Sequence, residues 1–156
     1  MKFPALNLPA FEFSMKKENE KVYIFDEVRR KHLICTPEEW VRQNFIKYLI
    51  SHLDYPSSLI SLEMPLNINT TAKRSDVVIF DRNGNIFMIV ECKATNIKIT
   101  QKTFDQAAVY NMKLKAGYLI VTNGMEHYCC KVDFVNKKWD FMEEIPNFST
   151  FKALPG

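Results

Sequence analysis

The chain has 156 residues, 47% apolar and 25% charged, which is one domain's worth of material with the composition of an ordinary globular protein and excludes disordered, collagen-like and coiled-coil classes. Lys and Arg exceed Asp and Glu by only 21 to 18, a balance that tolerates nucleic acid without demanding it. With four glycines and neither GxxxxGK nor GxGxxG, a P-loop ATPase and a dinucleotide-binding Rossmann unit are excluded, so chemistry must come from side chains or a metal.

No apolar run is long enough to span a bilayer, and MKFPALNLPAFEF lacks the uninterrupted stretch of a signal peptide, so a cytoplasmic protein without membrane contact is expected. Cys35, Cys92, Cys129 and Cys130 form no CxxC or Cys/His spacing, which predicts reduced, buried thiols. The chain divides by periodicity into one domain over 1–156, with an extension over 1–33, a core over 36–132 and a C-terminal strand and tail over 133–156.

In the extension, FEFSM and KVYIFD predict a hairpin turning at KKENE. Thr36 as N-cap and Pro37 at the first helical position open a helix over 37–53, with Val41, Phe45, Leu49 and Leu53 at spacing four. Tyr55-Pro56 ends it, and LISLEMPLNI, KRSDVVIFD and NIFMIVECKA predict a three-stranded meander. A second helix over about 101–115 stops at Ala116-Gly117, before YLIVTN and HYCCKV as two further strands. The order helix, three-strand meander, helix, two strands predicts an α/β (α+β) architecture, a mixed sheet flanked by helices and not a doubly wound sheet.

Asn83-Gly84 between two β-rich runs predicts a two-residue type I′ turn. Arg82 then pairs with Asn85, Asp76 lies opposite Glu91, and Arg74 lies opposite Lys93, which shares a face with Glu91. Two opposed carboxylates among Val77, Val78, Ile79, Ile89 and Val90 repel across a weakly screened sheet and call for a cation. A hard divalent ion, Mg²⁺ or Mn²⁺, takes such oxygen ligands. A bare ion cluster satisfied by Lys93 is the competing structural explanation.

At these residues the chain resembles a known family. Asp76 followed by Glu91-Cys92-Lys93 resembles the PD-(D/E)xK nuclease core. TPEEWVRQNFIKYLI, KRSDVVIFD, IVECKA, the helix with Gln106 and Tyr110, and YLIVTNG are similar to the N-terminal domain of the R subunit of type I restriction enzymes, over most of residues 22–130. The resemblance implies a restriction-endonuclease-like fold and metal-dependent DNA phosphodiester cleavage. Asp76, Glu91 and the backbone carbonyl of Cys92 would hold the metal, and Lys93 would orient the attacking water and stabilise developing charge. Ser75 replaces the proline of the motif's name, which has no chemical role. From the length and the missing P-loop, no ATP-driven motor is expected within these 156 residues.

Related nucleases place a further glutamate on the first helix, which makes Glu39 a ligand candidate. Thr36-Pro37-Glu38-Glu39 equally reads as a capping box, with Glu39 reaching back to the Thr36 N–H. Glu63 is a lower-ranked rival. Gln106 and Tyr110, one helical turn apart, match a QxxxY signature of a subset of these nucleases, against a cap paired with Thr103 and core packing respectively. Lys73, Arg74, Lys98, Lys102 and Lys113 are candidate phosphate contacts to DNA. His32, His52 and His127 fit no ligand pattern and read as structural, and Cys129 and Cys130 should point to opposite faces of a strand. Expected partners are DNA and other subunits of a restriction or repair system. A double-strand cut would need a homodimer or two sequential nicks. The alternative is a non-catalytic nucleic-acid or protein binding module whose acidic site is vestigial or dependent on a partner.

Overall fold

The computed structural model describes residues 3–68 and 71–151, with side chains described outside 63–76. It is a mixed α+β fold with two sheets and two long helices. The first sheet is antiparallel, in the order β1 (Met15–Glu18), β2 (Lys21–Asp26), β3 (Lys31–Ile34). After it come α1 (Pro37–His52), a short 3-10 turn, and the strands β4 (Ile60–Ile68), β5 (Thr71–Phe80) and β6 (Ile86–Cys92). Helix α2 (Gln101–Leu114) then leads to β7 (Tyr118–Thr122), β8 (His127–Asp133) and β9 (Lys138–Met142). These six strands form one sheet in sequence order, antiparallel throughout except for the parallel pair β6–β7, which α2 connects.

Alternation along the central strands divides the interior into two layers. Val77, Ile79, Met88, Val90, Cys92, Ile120 and Cys129 pack with Val41, Phe45, Ile46 and Leu49 of α1. Val78, Ile89, Leu119, Val121 and Cys130 pack with Phe104, Ala107 and Ala108 of α2. The helices therefore cover opposite faces of the sheet, and Cys129 and Cys130 point to opposite faces. All four cysteines are buried. Burial pushes the thiols of Cys35, Cys129 and Cys130 up to about 12, which leaves them protonated and unreactive at neutral pH.

The N-terminal extension is larger than the expected hairpin. β1 is MKKE and not FEFSM, because the reversal sits at Asn19-Glu20, whose φ values of 51° and 66° are those of a type I′ turn built without glycine. A third strand, β3, pairs with β2, so that Tyr23 faces Ile34 and Phe25 faces His32. Helix α2 ends just before Ala116-Gly117, as expected, although the left-handed cap is Lys115, at φ 58°, which donates its N–H to the Asn111 carbonyl.

The β5–β6 hairpin also departs from the expected turn. Asp81 N–H donates to the Asn85 carbonyl, Gly84 N–H donates to the Asp81 carbonyl, and Asn83 keeps an ordinary φ while Gly84 takes 84°. Asp81 Oδ1 further accepts the Asn83 and Asn85 N–H groups. The loop is thus three residues, Arg82 to Gly84, and the Arg82–Asn85 pair is not made. A bulge at Phe87, between the pairs Phe80–Ile86 and Ile79–Met88, restores the expected register for Ile79–Met88, Val78–Ile89 and Val77–Val90.

Candidate active site

Strand β6 alternates between the two layers. Val90 and Cys92 enter the α1 side, and Ile89 enters the α2 side. Glu91, next on the α2 side, is about one-quarter exposed, and Lys93 lies two residues on, with Nζ 3.4 Å from Glu91 Oε1. Lys93 N–H donates to the Thr122 carbonyl at 2.8 Å, extending the parallel β6–β7 register by one residue beyond Cys92. Two parallel strands therefore end at the same edge, where α/β sheets commonly receive ligands. Tyr110 of α2 lies over this face: burial, and then the charge of Glu91, hold its hydroxyl above the usual phenol range.

The Val77–Val90 pair brings Asp76 and Glu91 to adjacent positions on neighbouring strands, since each is the next residue along. The side chains of Asp76, Lys73, Arg74 and Glu63 lie outside the described residues. β6 ends at Cys92, so the expected Arg74–Lys93 pair is absent from the ladder, and Arg74 pairs with Pro65 on its other side. Among the described residues no group of three His, Cys, Asp or Glu is arranged to hold a metal. The donor set at the end of β6 nevertheless fits a hard cation. It has a carboxylate with access to solvent, a main-chain carbonyl at Cys92 and a neighbouring strand that carries Asp76.

Glu39 sits in the first turn of α1. Its N–H donates to Thr36 Oγ1 at 3.0 Å, which is half of a capping box. The reciprocal half is replaced, because Thr36 N–H donates to the Ile34 carbonyl. The buried Glu39 carboxylate accepts from Arg42 at 3.2 Å on Oε1 and from Gln43 at 2.9 Å on Oε2, with Arg29 at 3.7 Å. This network continues to Asp26, which is fully buried. Asp26 Oδ1 accepts the Val28 and Arg29 N–H groups, and Oδ2 accepts Arg29 Nε at 2.7 Å and Gln43 Nε2 at 3.1 Å. The ionic network therefore fastens the first sheet to α1. The run Asp26-Glu27-Val28-Arg29 carries a local turn signal, but nothing in the sequence announces the contact to Gln43.

Gln106 is exposed on α2, and the helix is capped by Thr100, which accepts the Thr103 N–H, so Gln106 has no capping role. Lys98, Lys102 and Lys113 are exposed. The histidines are tied into the structure. His127 Nε2 faces the Asn7 carbonyl at 2.9 Å and must donate, which leaves Nδ1 to accept from Thr122 Oγ1 at 2.6 Å. Burial lowers its proton affinity and favours this neutral form. His52 stacks on Tyr48, and His32 packs edge-on to Phe25.

Residues 37–146 match the sequence family of the type I restriction enzyme R protein N terminus (HSDR_N), well over half of the chain. The chain belongs to this family, that of a restriction-enzyme subunit domain. Among solved structures it is similar to a fragment assigned as an HsdR subunit of a type I restriction enzyme from Vibrio vulnificus YJ016, with 17% identity and a TM-score of 0.46 over 65% of this chain. The present chain spans 22% of that chain's length. No curated protein matches it in sequence. Among the described residues no helix is long and apolar enough to cross a membrane.

Proposed function

We propose that this chain is a metal-dependent DNA endonuclease domain that hydrolyses phosphodiester bonds in the cytoplasm, alongside other subunits of a restriction or repair system. The observation that carries the reading is the Glu91–Lys93 pair, 3.4 Å apart on one face at the carboxyl end of β6, beside the strand that bears Asp76. Asp76, Glu91 and the Cys92 carbonyl would hold Mg²⁺ or Mn²⁺. When bound, such an ion acidifies a water and neutralises charge on the scissile phosphate.

The protein's own contribution is positional and electrostatic. Lys93 is a compact cation with three donors, fixed next to the carboxylate by its strand, and suits the orientation of a water and the developing phosphate oxyanion. Tyr110 walls the site from the α2 side, and Gln106, Lys98, Lys102 and Lys113 present polar and cationic groups to solvent for DNA. Lys73 and Arg74 are proposed for the same phosphate contacts from β5. Glu39 would join the ion only by giving up Arg42 and Gln43.

Purified protein is expected to nick or linearise supercoiled plasmid in Mn²⁺ and in Mg²⁺, with no cutting in excess EDTA. Intact plasmid under all three conditions would move the domain to the binding-module class.

A further inference from the structure

The family match begins at residue 37, so the three-stranded N-terminal sheet stands outside it. One face of that sheet is turned to α1 through Ile24 and Asp26. On the opposite face the cross-strand register places Lys16, Tyr23 and Ile34 in one row and Phe25 with His32 beside it. Lys16 Nζ stands 5.7 Å from the centre of the Tyr23 ring, and the Phe25 and His32 rings meet edge-on at 5.1 Å. Ile34 is 45% exposed, a large apolar group on a strand that could have been polar at no cost to the core. Lys21, Arg30 and Lys31 rim the sheet and are exposed.

This face opens into a cleft of about 730 Å³ that runs from Tyr23, His32 and Ile34 past the start of α1 to Ala94. The cleft ends at Ala94, the residue that follows Lys93. The acids on its wall, Glu38 and Glu39, are both bridged by Arg42 at 3.2 Å, which offsets their repulsion toward an anionic polymer.

Half-buried aromatic rings on an antiparallel sheet whose rim carries Lys21, Arg30 and Lys31 among its exposed charges have the chemistry that stacks unpaired bases and tracks their phosphates. Duplex DNA keeps its bases stacked inward and offers this face nothing for its rings. We infer that the outer face of β1–β3, centred on Tyr23 and His32, binds a single-stranded stretch of the DNA substrate and leads it along the cleft toward Lys93. The inference deepens the nuclease reading and rests on it for the identity of the polymer.

The test is fluorescence anisotropy in EDTA, so that cutting plays no part, with a labelled oligothymidylate and a duplex of equal length. Wild type, Tyr23→Leu, His32→Leu and their double variant are compared. Leucine keeps apolar bulk on the strand and removes the stacking ring. The double variant should bind the single strand about tenfold or more weakly, with duplex affinity changed less than twofold. Unchanged single-strand affinity in the double variant, equal losses on both DNAs, or no single-strand binding by wild type would each overturn the inference. Loss of plasmid cutting with this pattern intact would instead refute the nuclease reading and leave the platform standing.

Discussion

Lys93→Ala is expected to lower plasmid cutting by about a hundred- to thousandfold while leaving the fold intact. The magnitude is that of removing one group aimed at charge that develops in the transition state. The fold should survive because the Lys93 side chain is about one-third exposed and its ion pair with Glu91, at 3.4 Å, is of the half-solvated kind worth under about 1 kcal/mol. Cutting rate and melting temperature should therefore separate in this variant. A structural ion cluster makes the opposite prediction, a measurable loss of stability with no activity to lose. Single-turnover cleavage in Mn²⁺ and a thermal melt of the same preparation decide between them, and a variant that cuts within tenfold of wild type would remove Lys93 from the mechanism.

Asp26→Ala should have the largest effect on stability. Asp26 accepts two backbone N–H groups, the Arg29 guanidinium and the Gln43 amide, and none of its surface meets solvent. Alanine would leave those donors buried without an acceptor and would break the link from β2 to α1, at a cost of about 3 kcal/mol. For a chain of this size that is a fall in Tm of roughly 10 °C. Asp26→Asn keeps a carbonyl oxygen for the backbone donors and should lose less. Denaturant unfolding of the two variants checks the order, and a loss under about 1 kcal/mol for Asp26→Ala would show that the network is dispensable.

The same residues show what a sequence can and cannot disclose. The two long helices were legible because their signals are local: Thr36 and Pro37 mark one start, and Val41, Phe45 and Leu49 repeat on one face. The β5–β6 register was legible for a less direct reason. The loop is one residue longer than Asn83-Gly84 alone implies, and the Phe87 bulge gives that residue back, so Val77 still meets Val90. Phe87 gains the rings of Tyr118 and Phe151, contacts distant in sequence that no hairpin rule contains.

The features not legible in the sequence were set by a positive-φ backbone or by a long-range polar contact. Asn19, Glu20 and Lys115 take positive φ without glycine, so the usual turn and stop residues are missing from the text. The partner of Asp26 on α1 is Gln43, seventeen positions away, and neither residue alone marks a buried site. The Glu91–Lys93 spacing was legible as two residues on one strand face. The nearness of Tyr110 to Glu91, and the contacts of Glu39 with Arg42 and Gln43, required the folded chain.

The central claim is that a divalent ion is held where β6 ends. Its most direct test is titration of metal-free protein with Mn²⁺, followed by loss of the free-ion EPR signal, in wild type and in Glu91→Gln and Asp76→Asn. Wild type should take up Mn²⁺ saturably, and each variant, folded by its melt, should lose that uptake. Unsaturable uptake by wild type, or equal binding in the variants, would contradict a metal centre at Asp76 and Glu91.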